Sequence, residues 1–588
     1  MNANTHRQFL AGTCLVGLLM PAIAWSQSSV DDLRNRMEAI KAAAKKIPEA
    51  QRKVLSGDMQ NLVHMADNWD TVGGAVARAA ARTRGGGGAT RGSGHHNAGS
   101  DTIPVANPDP ELSFRITGFT QSETSTAWCS SNVVVGFNDS GSFVETFNGF
   151  AQGTSGLSFN GVAFSSDRGR TFQDIGPLNP GPDPSGFLLG DPVVGCANAS
   201  TFYYSSLYQS GFLNPMSAVS VSKSTDGGAT WGNPVQAVSK SLFTHMLDKD
   251  WMAVDPTNAN LIFVSYTDFD FSGAVCGFDS NGFPFGRNAI ELVRSTDGGT
   301  TWSSPLAIQE FCNGGGLVQF SQIAIGPGGE VYVAWEMFGA FPPATALIRK
   351  SADHGITFGN TSTIASIAPV GDSLTSLFQG GFRSGADISL AVDRSGKKAT
   401  NGALYLTWQD GGALQEPSFS VVPDTYNFSD VLLSRSGDGG ATWSPAVRVN
   451  DNASASGDKT DQYQPGVAVD KKGKVAVCFY DRRLDPQNFL IDRFCATSTD
   501  AGATWTNTRQ SSPGWGPWHA TDVQINPYYL GDYDGMASDS TNSNAGFIGA
   551  FQFINSVGNS TGNSNSNSQD QSNAAMVPNP DVFAVKLN

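Results

Sequence analysis

The sequence predicts an all-β protein assembled from tandem four-stranded sheets, preceded by a helical arm. Three observations predict it: a glycine excess with few charges, an octapeptide that recurs six times, and a polar-then-apolar strand motif that recurs seven times. Of 588 residues, 67 are Gly and only 15% are charged, whereas averages lie near ~7% and ~25%. A helical bundle would show the reverse, and many short strands joined by Gly-rich turns fit this composition. The 39% hydrophobic residues, 36 Phe among them, suffice for a large core. With 52 acids against 37 bases the net charge is −15, which argues against a nucleic-acid-binding surface.

The chain begins with an address. His6 and Arg7 precede an apolar run from Phe9 to Met20, and Ala22-Ile23-Ala24 offers small residues for cleavage. Residues 1–26 therefore read as a secretory signal peptide, too short to span a bilayer, and the expected location is secreted or periplasmic. No later apolar run is long enough for a membrane span. Cys14 leaves with the signal, and six cysteines remain. An even number in an exported chain permits disulfides without fixing their connectivity. Cys478 and Cys495, which flank a predicted hairpin, are the first candidate pair; buried free thiols are the alternative. The absence of Cys-x-x-Cys excludes a zinc ribbon.

Residues 27–83 carry a helical seam. Apolar side chains fall at Val30, Leu33, Met37, Ile40, Ala44 and Ile47, and after Pro48 again from Leu55 through Val76, in steps of three and four. A helix pair over about 29–82 follows, able to dock on the main domain, to self-associate or to act as a pro-segment. The Gly-rich stretch that follows, with His95 and His96, reads as a flexible linker over 84–110. Two linker histidines without a third ligand are ordinarily just solvated.

From residue 111 the chain repeats. The octapeptide runs Ser165–Phe172, Ser224–Trp231, Ser295–Trp302, Ser351–Phe358, Ser436–Trp443 and Ser498–Trp505, with the shared pattern Ser-x-Asp-x-Gly-x-Thr-Trp/Phe. Its Asp can accept backbone N–H groups within a tight turn, Gly supplies positive φ, and the aromatic ring packs beneath. These octapeptides resemble the Asp boxes, or BNR repeats, of the sialidase-like β-propellers, and the resemblance covers about 111–588. It implies that each box lies between the third and fourth strands of a blade, away from the active face. Asp167, Asp226, Asp297, Asp353, Asp438 and Asp500 are then turn staples.

Blade starts appear at Glu123, Asp191, Asp250, Gln322, Asp387, Gln464 and Asp534, roughly 68 residues apart, enough for four strands and their loops. Seven blades are expected, with six as the alternative. The seventh lacks an octapeptide, and Ser113–Phe119 could supply its missing strand.

In such a ring the inner strand starts, and the second strand ends, at one mouth. The strand-start acids are Glu123, Asp191, Asp248, Asp250, Asp387, Asp461, Asp532 and Asp534; the second strands end in Asp139, Asp268, Glu336, Asp410 and Asp481. Crowded carboxylates raise one another's pKa, which suits acid–base work, and would equally suit Ca²⁺. Capping of channel-facing backbone is the structural alternative. The catalytic candidates by position are Asp139 or Glu336 as proton donor, with Tyr480 and Asp481 beside the substrate. Glu123, Asp250, Arg383, Arg482 and Arg483 are the candidate substrate-binding groups; an Asp–Arg network bracing neighbouring blades would use the same residues 480–483. The resemblance adds Arg115, in Phe114-Arg115-Ile116-Thr117, which keeps three residues of the sialidase Phe/Tyr-Arg-Ile-Pro motif. An acid, Glu123, stands where that family places its first arginine, and an acidic mouth repels an anionic sugar. The expected function is a secreted sialidase-like glycoside hydrolase. The alternative is a non-catalytic exported propeller that binds a glycan or protein partner. No cofactor is required in either, although Ca²⁺ would be accommodated.

Overall fold

A computed structural model of the chain describes residues 27–83, 102–106 and 120–587, apart from 274–275, 279–283, 313–315, 340–342, 372–376, 386–387, 413–427, 453–458, 513, 518–521, 540–545 and 555–579. The expected signal peptide, both linker histidines, Arg115, Asp387 and the strand 113–119 lie outside these residues.

Seven antiparallel four-stranded sheets follow one another as the blades of a propeller. Their inner strands are Gln121–Cys129, Phe187–Cys196, His245–Val254, Leu317–Ile325, Ser389–Val392, Gln462–Val469 and Met536–Ser538. The count is seven, not six. Blades 1 to 6 each run in chain order from inner to outer strand, and Leu157–Ser158 adds a short parallel partner to the inner strand of blade 2. Second strands such as Ile262–Asp270 and Val475–Asp481 are buried along almost their whole length, because each sheet is covered on both faces by its neighbours. That double covering is why charge is scarce in the sequence.

The ring closes by joining its two ends. The outermost strand of blade 7 is Thr102–Pro104, paired with Pro580–Leu587 in the register Thr102↔Val585 and Pro104↔Phe583. The expected closure by an N-terminal strand thus comes from within the segment read as linker. Three residues are too few for an alternating pattern to register. Pro104 is tolerated because an outer edge needs no donor there. Val133, Val135 and Phe137 of blade 1 pack with Ile548, Ala550, Val582 and Ala584 of blade 7 to seal the joint.

Each octapeptide forms the turn between the third and fourth strands of its blade. In the first, the Asp167 carboxylate accepts the N–H groups of Arg170 and Thr171 at 2.9 and 3.0 Å and the Thr171 hydroxyl at 2.7 Å. Asp226, Asp297, Asp353, Asp438 and Asp500 repeat the contact to the Thr four residues on. The octapeptide glycine has φ between +71° and +98° in all six. Three disulfides are present: Cys478–Cys495, across two strands of blade 6 as expected, Cys129–Cys196 between the inner strands of blades 1 and 2, and Cys276–Cys312.

The arm is four helices rather than a pair: Gln27–Ala44, Glu49–Arg52, Gly57–Asp67 and Trp69–Thr83. Beyond the break expected at Pro48, one falls at Ser56, whose hydroxyl caps the third helix by accepting the Met59 N–H, and one at Asn68, between the third and fourth helices. A fifth helix, Ser140–Ala151, is inserted after the second strand of blade 1. Leu33, Met37, Leu62 and Met65 share one buried cluster with Phe143 and Phe147 of that insertion and Phe187 and Leu247 of blades 2 and 3. The arm is therefore docked on the mouth side of blades 1 to 3. No helix among the described residues is long and apolar enough to cross a membrane.

The six turns make stability acid-sensitive. Hydrogen bonds to the ionised form hold Asp438 and Asp500 down to about 2, so the stability they carry is present above the unfolded value near ~3.9 and is lost as pH falls through about 2. Asp438→Ala is expected to lower the melting temperature at pH 6, and the difference from wild type should narrow steadily as pH falls from about 4 toward about 2 in a pH series of thermal melts.

Candidate functional site

The inner strands share a distortion that aims side chains at the channel axis. Five of them carry a β-bulge at the mouth end, with register shifts at Ser122/Ser125, Gly190/Val193, Asp248/Trp251, Gln319/Gln322 and Tyr463/Gly466. The first bulged residue of each is left-handed: Glu123 (φ 48°), Asp191 (53°), Lys249 (48°), Phe320 (57°) and Gln464 (54°). For a residue with a Cβ this conformation costs roughly 1–3 kcal/mol, and bulges of this kind re-aim side chains beside functional sites. The second bulged residue reaches the preceding blade instead. Thr124 donates to the Ala550 carbonyl at 2.8 Å, Asp250 accepts the Ser205 hydroxyl at 2.6 Å, and Ser321 meets the Ser265 hydroxyl at 2.8 Å.

Glu123 and Asp191 consequently point into the mouth, and the arm brings Asp58 to meet them. One carboxylate oxygen from each of the three lies within 4.8 Å of the other two. Around them, Glu123 accepts the Asp532 N–H at 2.9 Å and the Asn138 amide at 3.0 Å. Asp532 is ion-paired with Arg383 at 2.5 Å. The Lys249 ammonium sits 3.6 Å from the centre of the Tyr533 ring. The Tyr529 hydroxyl meets Ser122 and Asn138 at 3.0 and 3.1 Å. Burial pushes Glu123 and Asp58 well above the usual carboxylate range, and the neighbouring acids add to it. Asp191 is also raised by burial, against the pull of Lys249. Asp248, at the rim of the group, is raised to about 7 by burial and by Asp191.

The arm fills this mouth. The Ser56 N–H and hydroxyl donate to Asp248 at 2.9 and 2.6 Å, and the Gly57 N–H donates to Asp532 at 2.7 Å. Arg383 and Gln319 donate to the Leu55 and Val54 carbonyls, both at 3.2 Å. The positive end of the helix Gly57–Asp67 thus faces the acids, the favourable orientation for a helix dipole. The fit is tight enough that a Cβ on Gly57 would lie 2.0 Å from the Tyr529 ring and 2.8 Å from Glu123. The space left between arm and blade 1, lined by Asp58, Asn61, Asn138, Asp139 and Tyr529, is about 10 Å³, room for about one water.

Oxygen-only ligands suit a hard cation such as Ca²⁺, and Asp58, Glu123 and Asp191 could supply three of them. Lys249 and Arg383, however, already bring positive charge to the same group from within the chain.

Of the catalytic and substrate-binding candidates named from the sequence, Glu123 and Arg383 belong to the mouth cluster, together with the strand-start acids Asp191, Asp248 and Asp532. The other candidates face different partners. Asp139 caps the inserted helix through Gly141 and Ser142, and burial raises it to about 7. Glu336 accepts the Ile388 N–H at the entry to blade 5. Tyr480 exchanges hydrogen bonds with the Gln552 backbone of blade 7, beneath the Arg493 guanidinium. Asp481, raised to about 6 by burial, pairs with Arg483, which also reaches Asp451. Arg482 is enclosed between Asp461 and the Asn488 carbonyl, and Asp250 is turned toward blade 2. Lys249, Tyr529 and Asp58 carry no strand-start signature in the sequence. Lys249 could have been found only by knowing that the bulge turns the residue before Asp250, not Asp250 itself, to the axis.

No family model and no curated protein matches the chain. Solved structures similar to it include a Hadza microbial sialidase, at 15% identity over 72% of this chain and 71% of that one, with a TM-score of 0.38. They also include a Fusarium graminearum α-L-arabinofuranosidase with arabinobiose, at 12% identity over 65% and 92%, TM-score 0.41. A third is a Penicillium chrysogenum α-L-arabinanase, at 9% identity over 83% and 98%, TM-score 0.39.

The mouth acids predict a second pH effect, opposite in sign to that of the turns. A carboxyl raised in the folded state contributes stability below the unfolded value near ~3.9 and loses it as pH rises toward the folded value. Asp58→Asn keeps an oxygen for the Asp191 N–H and removes one charge. Its melting temperature should equal that of wild type near pH 4 and exceed it at pH 8; equal melting at both would refute the charge crowding.

Proposed function

We propose that the chain is an exported glycan-acting hydrolase of the Asp-box propeller kind, with its active centre at the channel mouth. The observation that carries the reading is the meeting of Glu123 and Asp191 on two strained bulges, their carboxylate oxygens within 4.8 Å. In glycosidases, carboxyl groups ~5–5.5 Å apart go with retention of configuration, whereas ~6.5–9.5 Å leaves room for an inverting water. Glu123, held protonated by burial, would give its proton to the leaving oxygen as the glycosidic bond breaks. Asp191, beside Lys249, would form the bond to the anomeric carbon. Water, losing its proton to Glu123, would then displace Asp191 and restore both groups. Arg383, engaged by Asp532, would orient substrate hydroxyls. The octapeptide turns and the apolar leader support the Asp-box and export parts of this reading.

Of the sequence-derived candidates this proposal uses Glu123 and Arg383; it assigns Asp139, Glu336, Tyr480, Asp481, Asp250, Arg482 and Arg483 to bracing. One observation favours a second reading, a non-catalytic binding propeller: the mouth holds the arm chiefly by its backbone, as a peptide-binding site would.

The two part in one assay. Full-length Gly57→Val, in which the arm turn no longer fits, should cleave at least one member of a panel of chromogenic neutral and acidic glycosides. Glu123→Gln added to it should cut turnover by at least ~100-fold, and NMR of the first-formed sugar should show the substrate's own anomer. A panel bound but never cleaved would leave the binding reading in its place.

A further inference from the structure

The arm occupies the mouth as a ligand would. Five consecutive residues, Val54–Asp58, are held by groups from five different blades or the loops leading into them. Gln319 of blade 4 and Arg383, before blade 5, take two carbonyls. Asp248 of blade 3 takes a hydroxyl and an N–H, and Asp532, before blade 7, takes an N–H. The backbone N–H of Asp191 in blade 2 donates to the Asp58 carboxylate. Nothing about these contacts requires a peptide. Two carboxylates receive N–H and O–H donors, while a guanidinium and an amide donate to oxygens, which is what a ring carrying several hydroxyls also offers. The turn is glycine at the one place where a side chain would strike Tyr529 and Glu123.

We infer that the N-terminal arm is an internal inhibitor of the mouth, and that the ligand it displaces is a neutral, hydroxyl-rich glycan. This rests on the mouth being the glycan site. Neutrality follows from the company the ligand would keep. With the arm withdrawn, Glu123, Asp191, Asp248 and Asp532 face the opening, and Lys249 and Arg383 balance only part of their charge. A carboxylated or sulfated sugar would meet that excess. The arm's own acid, Asp58, sits there only with its carboxyl driven far up. The full chain is then a closed form, opened by whatever lifts the turn Val54–Asp58 from its seat.

The test uses the full chain and two readouts. Hydrogen exchange of residues 54–62 reports whether the turn is seated, and calorimetric titration with neutral and uronate-containing oligosaccharides reports whether the mouth is open. Gly57→Val should raise exchange in 54–62 and strengthen binding of at least one neutral oligosaccharide tenfold or more over wild type, with no gain for the acidic ones. Ser56→Ala removes only the hydroxyl contact to Asp248 and weakens the cap, so it should act in the same direction to a smaller extent if Gly57→Val does not fold. A lifted turn without any gain in neutral-glycan binding would overturn the proposal. So would equal binding by wild type and variant, or a gain confined to acidic glycans. Binding that rises on lifting the turn, with no glycan cleaved, would uphold the inhibitor and refute the hydrolase instead.

Discussion

The bulge at the start of the inner strands is the constraint on which the rest of the molecule depends. Seven strands converge on one axis, and a regular strand would send alternate side chains to its two faces, toward the neighbouring blades. Setting two residues against one of the partner strand, one more than the ladder needs, breaks that alternation at one height in the ring. The first residue then points to the axis, and the second is free to stitch its blade to the one before. A single backbone irregularity thus builds both a cluster at the centre and a belt of contacts around it, of which Thr124, Asp250 and Ser321 are members. The cost is backbone strain at Glu123, Asp191, Lys249, Phe320 and Gln464, borne because the surrounding sheets leave no alternative.

Much of the architecture was legible because repetition averages over local ambiguity. Six octapeptides and seven strand starts located the blades to within a few residues, although no one copy would have done so. The closing strand escaped because Thr102–Pro104 is one short copy with no pattern of its own. The site was harder to read for two physical reasons. Sequence patterns count residues along a strand, and a bulge changes that count, so Asp250 stood in for Lys249. The other reason is that the mouth is completed from far away. Asp58 belongs to an arm whose apolar seam said only that it would pack against something. Residues 480–483 are adjacent polar and charged groups, and their ion pairs, buried with Asp461 and within the segment itself and half-exposed with Asp451, are what such adjacency more often means.

The electrostatics of arm and ring are complementary only in part. The N-terminal end of a helix, with its unpaired N–H groups, is well matched to Asp248 and Asp532. Asp58 in the first turn is also well placed with respect to its own helix dipole, yet the same position sets it against Glu123 and Asp191. Docking is carried by the apolar cluster around Leu33, Met37, Phe143 and Phe187, and the acids must accommodate themselves to it by holding protons. Packing sets the geometry, and protonation adjusts to it.

The joint in blade 7 gives the arm a further property. Because Thr102–Pro104 pairs with Pro580–Leu587, the ring is incomplete until that late strand has been made. The arm, which lies before that strand, rests on blades 2 and 3 and on loops leading into blades 5 and 7 at once. It has a full seat only on a finished ring. A segment that precedes the ring in sequence therefore finds its complete seat only after the strands that close the ring have paired.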